Sequence, residues 1–197
     1  MAQNQAPQKP SSKAPEDGSR EKSAANPSFE NTTAGKSKSQ NQSKSKISNV
    51  VTKFSFATKG GIAAHNPHKT NQDAYITSPH IMGLKHCHFF SVCDGHGSNG
   101  REVSGLLKHR LPFHVENQMK KHLGTHDFSK EYPPSSKVFD SLLEAFHISQ
   151  QEVCQMQQDT RYSGSTCVSV MTMGRKLFMA NVGDSRGIVI KSLNMGE

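Results

Sequence analysis

Three short stretches of this chain carry side chains whose chemistry goes beyond packing. Asp94-Gly95-His96-Gly97 follows the run HCHFFSVC (86–93), so a carboxylate stands where a buried strand would end. From there it can reach a hard cation, and the glycines flanking His96 let the chain turn sharply and bring a carbonyl oxygen to the same ion. The same tetrapeptide would equally serve as a plain strand-ending turn, because Asp and Gly favour turns. Asn71-Gln72-Asp73-Ala74 sets a second Asp at the opening of a strand, and Gly183-Asp184-Ser185-Arg186 a third where two strands join. Each alone reads as a cap or a turn. Three aspartates at strand ends of one sheet could converge on an oxygen-coordinated metal, but spacing alone does not bring them together.

The elements that must position these residues follow from hydrophobic period. Phe54, Phe56 and Thr58 alternate with smaller residues and predict a short strand, broken by Gly60-Gly61. Residues 74–77 and 86–93 predict two more. A helix is expected to begin near Gly100 under a cap from Ser98 or Asn99, with Val103, Leu106, Leu107 and Leu111 at helical spacing. Pro112 is expected to kink or end it, and Val115, Met119 and Leu123 suggest a continuation. Pro133-Pro134 breaks the chain. Ser135 or Ser136 should cap a second helix that buries Val138, Leu142, Ala145, Phe146, Ser149 and Val153. Residues 165–173 and 176–182 flank Gly174-Arg175 at hairpin spacing, and residues 187–191 predict a last strand. Strands, two helices, then an antiparallel meander argue for an α+β fold with helices packed on an antiparallel sheet.

Taken in order, NQDAY (71–75), FFSVCDGHGSNG (89–100), SGSTCVSV (163–170) and ANVGDSRG (180–187) resemble the type 2C phosphatases, the metal-dependent protein phosphatase family. The resemblance covers about residues 52–191. It implies a β-sandwich with helices on its outer faces and a binuclear Mg²⁺ or Mn²⁺ site at one edge. By that resemblance Asp73 and Asp94 are carboxylate ligands, Gly95 offers its backbone carbonyl, and Asp184 matches an aspartate associated with a third, weaker metal. A water bridging the metals would attack the phosphorus of phosphoserine or phosphothreonine in protein substrates, with His96 protonating the leaving oxygen.

The chain also departs from the family pattern. Gln72 stands where many members have Glu. His68 occupies the place of a phosphate-gripping Arg, with Lys69 beside it, which supplies a point charge but not a bidentate fork. The family carries two later ligand aspartates, in Asp-Gly and Asp-Asn motifs, and no Asp follows Asp184 here. The C-terminal truncation this implies makes little turnover the expectation for the chain alone. The alternative is a non-catalytic phosphoprotein-binding or regulatory protein.

Composition narrows the remaining classes. Residues 1–53 hold nine of the 24 Lys and Arg but four of the 16 Asp and Glu, and few large apolar residues. Residues 1–50 are therefore expected to form a disordered tail ahead of the domain. Its lysines lack interleaved aromatic residues for base stacking, so a solubilising role is expected rather than nucleic-acid binding. The opening MAQNQAPQKP has no apolar core, and Ala2 stands where N-myristoylation needs Gly, so a cytoplasmic or nuclear location is expected. No run approaches the length of a membrane span. His86 and His88, with His80 nearby, lack a second ligand pair for zinc and are expected to face solvent on an alternating strand. Cys87, Cys93 and Cys167 sit in apolar runs as small hydrophobes.

Overall fold

A computed structural model describes residues 47–192 except 63 and 129. The expected tail lies outside the described residues up to position 46. Within its last residues, Ile47 is buried, with its Cγ2 beside Gly174.

Among the described residues, six strands and two α-helices follow one another as β1 (Ala74–Pro79), β2 (Cys87–Cys93), β3 (Gly95–His96), α1 (Gly100–Leu123), α2 (Ser135–Cys154), β4 (Gly164–Ser165), β5 (Cys167–Met173) and β6 (Lys176–Val182). One antiparallel sheet runs in the order β1-β2-β5-β6, and β3 pairs with β4 in a short ladder of its own. This is the α+β arrangement expected, with both helices on one side of the large sheet.

Alternation in the strands sets that side. Cys87, Phe89, Ser91 and Cys93 of β2 and Cys167, Ser169, Met171 and Met173 of β5 are buried at every second position. Cross-strand register places Phe89 opposite Met171 and Met171 opposite Phe178, which gives the sheet its apolar inner face. Against it lies a stripe of α1 repeating every fourth residue, Val103, Leu107, Leu111, Val115, Met119 and Leu123, all buried. The buried face of α2, with Val138, Leu142, Ala145 and Val153, belongs to the same core.

Several expectations need correction. Residues 51–62 form no strand. Their aromatic side chains instead lie on the outer face of the sheet, Phe56 stacked on Tyr75 at 4.3 Å between ring centroids and Phe54 at 5.1 Å from Phe90. Alternation there reports contact of one side with the sheet, without a backbone ladder. Residues 187–191 are likewise not a strand, and Ile188 and Ile190 are 84% and 90% exposed. Pro112 sits inside α1 without ending it. Neither helix takes a side-chain cap: Asn99 spends its amide on the Asp159 carbonyl at 2.9 Å, and Pro134 precedes α2. His86 and His88 are buried rather than solvent-facing. His88 reaches Asn49 Oδ1 at 2.9 Å, and burial holds both imidazoles below their ordinary pKa.

Candidate functional site

Antiparallel pairing of β1 with β2 places Ala74 opposite Cys93. Asp73 directly precedes one strand and Asp94 directly follows the other, so the register alone sets the two carboxylates side by side at one sheet edge. A small cleft of about 80 Å³ opens there, lined by Lys59, Lys69, Gln72, Asp73, Asp94 and Gly95 among others. Both aspartates are exposed. Desolvation by the surrounding chain, and after it the adjacent Asp94 carboxylate, raises the Asp73 pKa from its ordinary value, while Lys69 pulls it down.

The local scaffold explains how this proximity persists. Asn71 Oδ1 accepts the Asp73 N–H at 3.1 Å, and its amide donates to Thr58 Oγ1 at 2.8 Å. Gln72 Nε2 donates to the Gly97 carbonyl at 2.7 Å, while the Gln72 carbonyl accepts from Ser104 Oγ of α1 at 2.6 Å. The segment before β1 is thereby tied to the turn after β2 and to the first turns of α1. Gly95 is required at its position: a Cβ there would overlap the Gln72 and Gly100 carbonyl oxygens. Gly97, at φ 82°, turns the chain where a Cβ would meet the Tyr162 carbonyl and Ser163.

Asp94 is held from the other side by Thr166. The Thr166 N–H donates to the Asp94 carbonyl at 2.9 Å, and the Asp94 N–H donates to Thr166 Oγ1 at 3.1 Å. Thr166 Oγ1 lies 2.6 Å from Ser185 Oγ, and a Cβ on Gly183 (φ 96°) would meet the Thr166 side chain. Three of the sequence motifs thus converge on one backbone position. Thr166, Ser104 and the bracing amide of Gln72 were not singled out from sequence. The only sequence signal for Thr166 is its place in SGSTCVSV.

The residues foreseen from sequence divide into two groups. Asp73, Asp94, Gly95 and Lys69 meet in the cleft. His96, His68 and Asp184 do not line it. His96 pairs with Gly164 across β3–β4 and lines a larger cleft between the helices and β5, where a Cβ on Gly164 would lie 2.9 Å from Nε2. His68 and Asp184 are exposed. Among the described residues no group of three or more His, Cys, Asp or Glu is placed to hold one metal ion. Asp73 and Asp94 offer carboxylate oxygens to the cleft, the donor type a hard divalent cation requires, and Gly95 lines it beside them. They fit such an ion as part of its shell.

Comparison with known proteins bears on the same residues. The chain is 32% identical over 136 residues to probable protein phosphatase 2C 35 of Arabidopsis thaliana, covering 69% of this chain and 35% of that protein. It is 30% identical over 120 residues to protein phosphatase 1L of Bos taurus, covering 60% and 31% respectively. The chain therefore spans about a third of the length of these relatives. A PPM Ser-Thr phosphatase from Mycobacterium smegmatis, solved in complex with cacodylate, aligns at 18% identity with a TM-score of 0.36, over 65% of this chain and 44% of that one. The family model described as protein phosphatase 2C matches residues 58–196, which takes in the cleft, both helices and the β5–β6 hairpin. The chain belongs to the protein phosphatase 2C family.

Proposed function

We propose that this chain forms part of a metal-dependent protein phosphatase site, in which Asp73, Asp94 and the Gly95 carbonyl hold Mg²⁺ or Mn²⁺. The observation that carries this reading is the forced proximity of two carboxylates, with Asp73 destabilised as an anion first by desolvation and then by its neighbour Asp94. Two like charges kept at one sheet edge cost stability in a metal-free chain, and a bound divalent cation reverses that cost. When bound, the cation supplies Lewis acidity at a phosphoryl oxygen.

The chain's own residues do the rest. Lys69 offers a single positive charge at the cleft for a substrate phosphate, in place of the bidentate grip an Arg would give. Gly95 and Gly97 let the turn pack against the Gln72 and Gly100 carbonyls and against Ser163, which fixes the backbone beside Asp94. His96, two residues beyond Asp94 but lining the neighbouring larger cleft, would donate the proton to a leaving seryl or threonyl oxygen once its ring turns toward Asp94. Asp184 would join a further, weaker cation by way of the Ser185–Thr166 contact that brings its turn toward Asp94.

Isothermal titration of the 197-residue chain with Mn²⁺ tests the first step, and phosphopeptide hydrolysis with and without Mn²⁺ the second. Saturable binding is expected, weakened at least tenfold in Asp94→Asn. Turnover by this chain should be slight, because the cleft gathers only two carboxylates among the described residues. An Asp94→Asn chain that binds Mn²⁺ as wild type does would remove the metal-site assignment. Mn²⁺ binding with tight phosphopeptide binding but no hydrolysis would favour a phosphoprotein-binding role.

A further inference from the structure

Cys93 ends β2 and Cys167 opens β5, both on the helix-facing side of the sheet. Val92 pairs with Val168, and the Thr166 N–H bonds the Asp94 carbonyl, so the two cysteines stand opposite each other at a non-hydrogen-bonded position. Antiparallel strands bring Cα atoms to about 4.5 Å at such positions, within the span a disulfide accepts. The two sulfurs lie 3.6 Å apart.

The surroundings distinguish one sulfur from the other. Cys167 Sγ has Ser91 Oγ at 3.2 Å and Ser169 Oγ at 3.5 Å, besides the Cys93 thiol. Ser91 Oγ also donates to the Val168 carbonyl at 2.9 Å, so the Ser169 hydroxyl and the Cys93 thiol are the groups left to donate to a Cys167 thiolate. Cys167 also forms part of the wall of a cleft of about 470 Å³ between α1, α2 and the β4–β5 segment, shared with His96, His147 and Cys154. Cys167 is only 4% exposed, and this cleft is the side from which a small polar oxidant would approach it. Cys87, on the same face of β2, is fully buried, lines none of the clefts described and has no thiol beside it.

We propose that Cys167 is a site of modification by hydrogen peroxide, and that Cys93 resolves it into an intramolecular disulfide joining β2 to β5. This inference does not rest on the phosphatase reading. In the first step the Cys167 sulfur attacks one peroxide oxygen and the O–O bond breaks. The departing hydroxide takes up the Cys167 proton as water, and the sulfur, oxidised by two electrons, becomes a sulfenic acid. In the second step the Cys93 sulfur attacks the Cys167 sulfur. The S–S bond forms, the S–O bond breaks, and hydroxide leaves with the Cys93 proton as a second water. Two thiols and one peroxide thus give one disulfide and two waters. The bridge joins the strands at the residues next to Asp94 and Thr166.

The test treats the folded 197-residue chain with hydrogen peroxide and maps tryptic peptides by mass spectrometry without reduction. A Cys87→Ser/Cys154→Ser chain, which keeps only Cys93 and Cys167, is mapped in parallel. The expected result in both chains is peptide 86–101 joined to peptide 162–175 with loss of two hydrogens, reversed by dithiothreitol. In a Cys93→Ser chain dimedone should label Cys167. Since serine substitutions could disturb the core, the decisive measurement is the wild-type map, with fragmentation locating the bridge. If peroxide leaves 86–101 and 162–175 unjoined in wild type, or joins Cys167 to Cys87 or Cys154 instead, the proposal is overturned.

Discussion

Thr166 carries more of the site than its chemistry would suggest. Its hydroxyl accepts the Asp94 N–H and meets Ser185, while its own N–H holds the Asp94 carbonyl. Thr166→Val keeps the shape but removes the acceptor, leaving an N–H beside the cleft without its partner. The expected cost is about 1–2 kcal/mol in urea unfolding, with weaker Mn²⁺ binding, and Thr166→Ser should restore most of both. If Thr166→Val binds Mn²⁺ as wild type does, Thr166 only packs. At this scale the sequence was informative about ligands and silent about their supports. Asp73 and Asp94 stand out because strand ends next to glycine are recognisable from composition. Thr166 and Gln72 act through partners 72 and 25 positions away, and nothing local announces such a contact. Gln72, noted as a departure from the family's usual Glu, has a use of its own: its amide donates to the Gly97 carbonyl, which a carboxylate cannot do.

At the scale of elements, α1 continues through Pro112 against an interior helix cost of roughly 3 kcal/mol. Its stripe from Val103 to Leu123 lies buried on both sides of that residue, so packing outweighs propensity. Period identified the face, while the proline rule misjudged the length. The two strands that failed, the alternating segment near residue 54 and the apolar run at 187–191, have strand-like residues but join no ladder among the described residues. The α1–α2 pair is fastened by polar bridges as well. Glu152 of α2 receives Arg110 at 2.5 Å and lies 3.0 Å from His114, and Glu144 receives Lys121 at 2.7 Å. Arg110, and after it His114, holds the Glu152 pKa down to about 2. A depressed carboxylate pKa contributes stability that is present above the unfolded value of 4.5 and is lost as pH falls toward about 2. Glu152→Gln should therefore cost about 1 kcal/mol at pH 7, and the two chains should converge near pH 2 in denaturant titrations. A difference that persists undiminished at pH 2 would mean that packing, not charge, is responsible.

For the molecule as a whole, the carboxylate pair makes stability depend on cation in a direction that can be worked out. The Asp73 pKa is raised in the folded chain, so folding retains a proton that the unfolded chain releases from 3.8 upward. Stability of the metal-free chain therefore falls as pH rises through that window, and at neutral pH the full repulsion is present. Asp73→Asn should relieve it, raising metal-free stability at pH 7 by no more than about 1 kcal/mol, because solvent screens an exposed pair. The two chains should be alike near pH 3. Mn²⁺ should act oppositely on them. A cation that binds only the folded chain stabilises it by about 2.7 kcal/mol at a hundred times its dissociation constant. For a domain of this size that is a rise of roughly 5–10 °C in the unfolding midpoint. Wild type should show this rise in differential scanning calorimetry, and Asp73→Asn should lose most of it. Greater metal-free stability combined with loss of the Mn²⁺ response is the signature of a carboxylate kept for a cation, since a residue that merely packs would move both in the same direction. An equal midpoint rise in the two chains would place the cation elsewhere on the molecule.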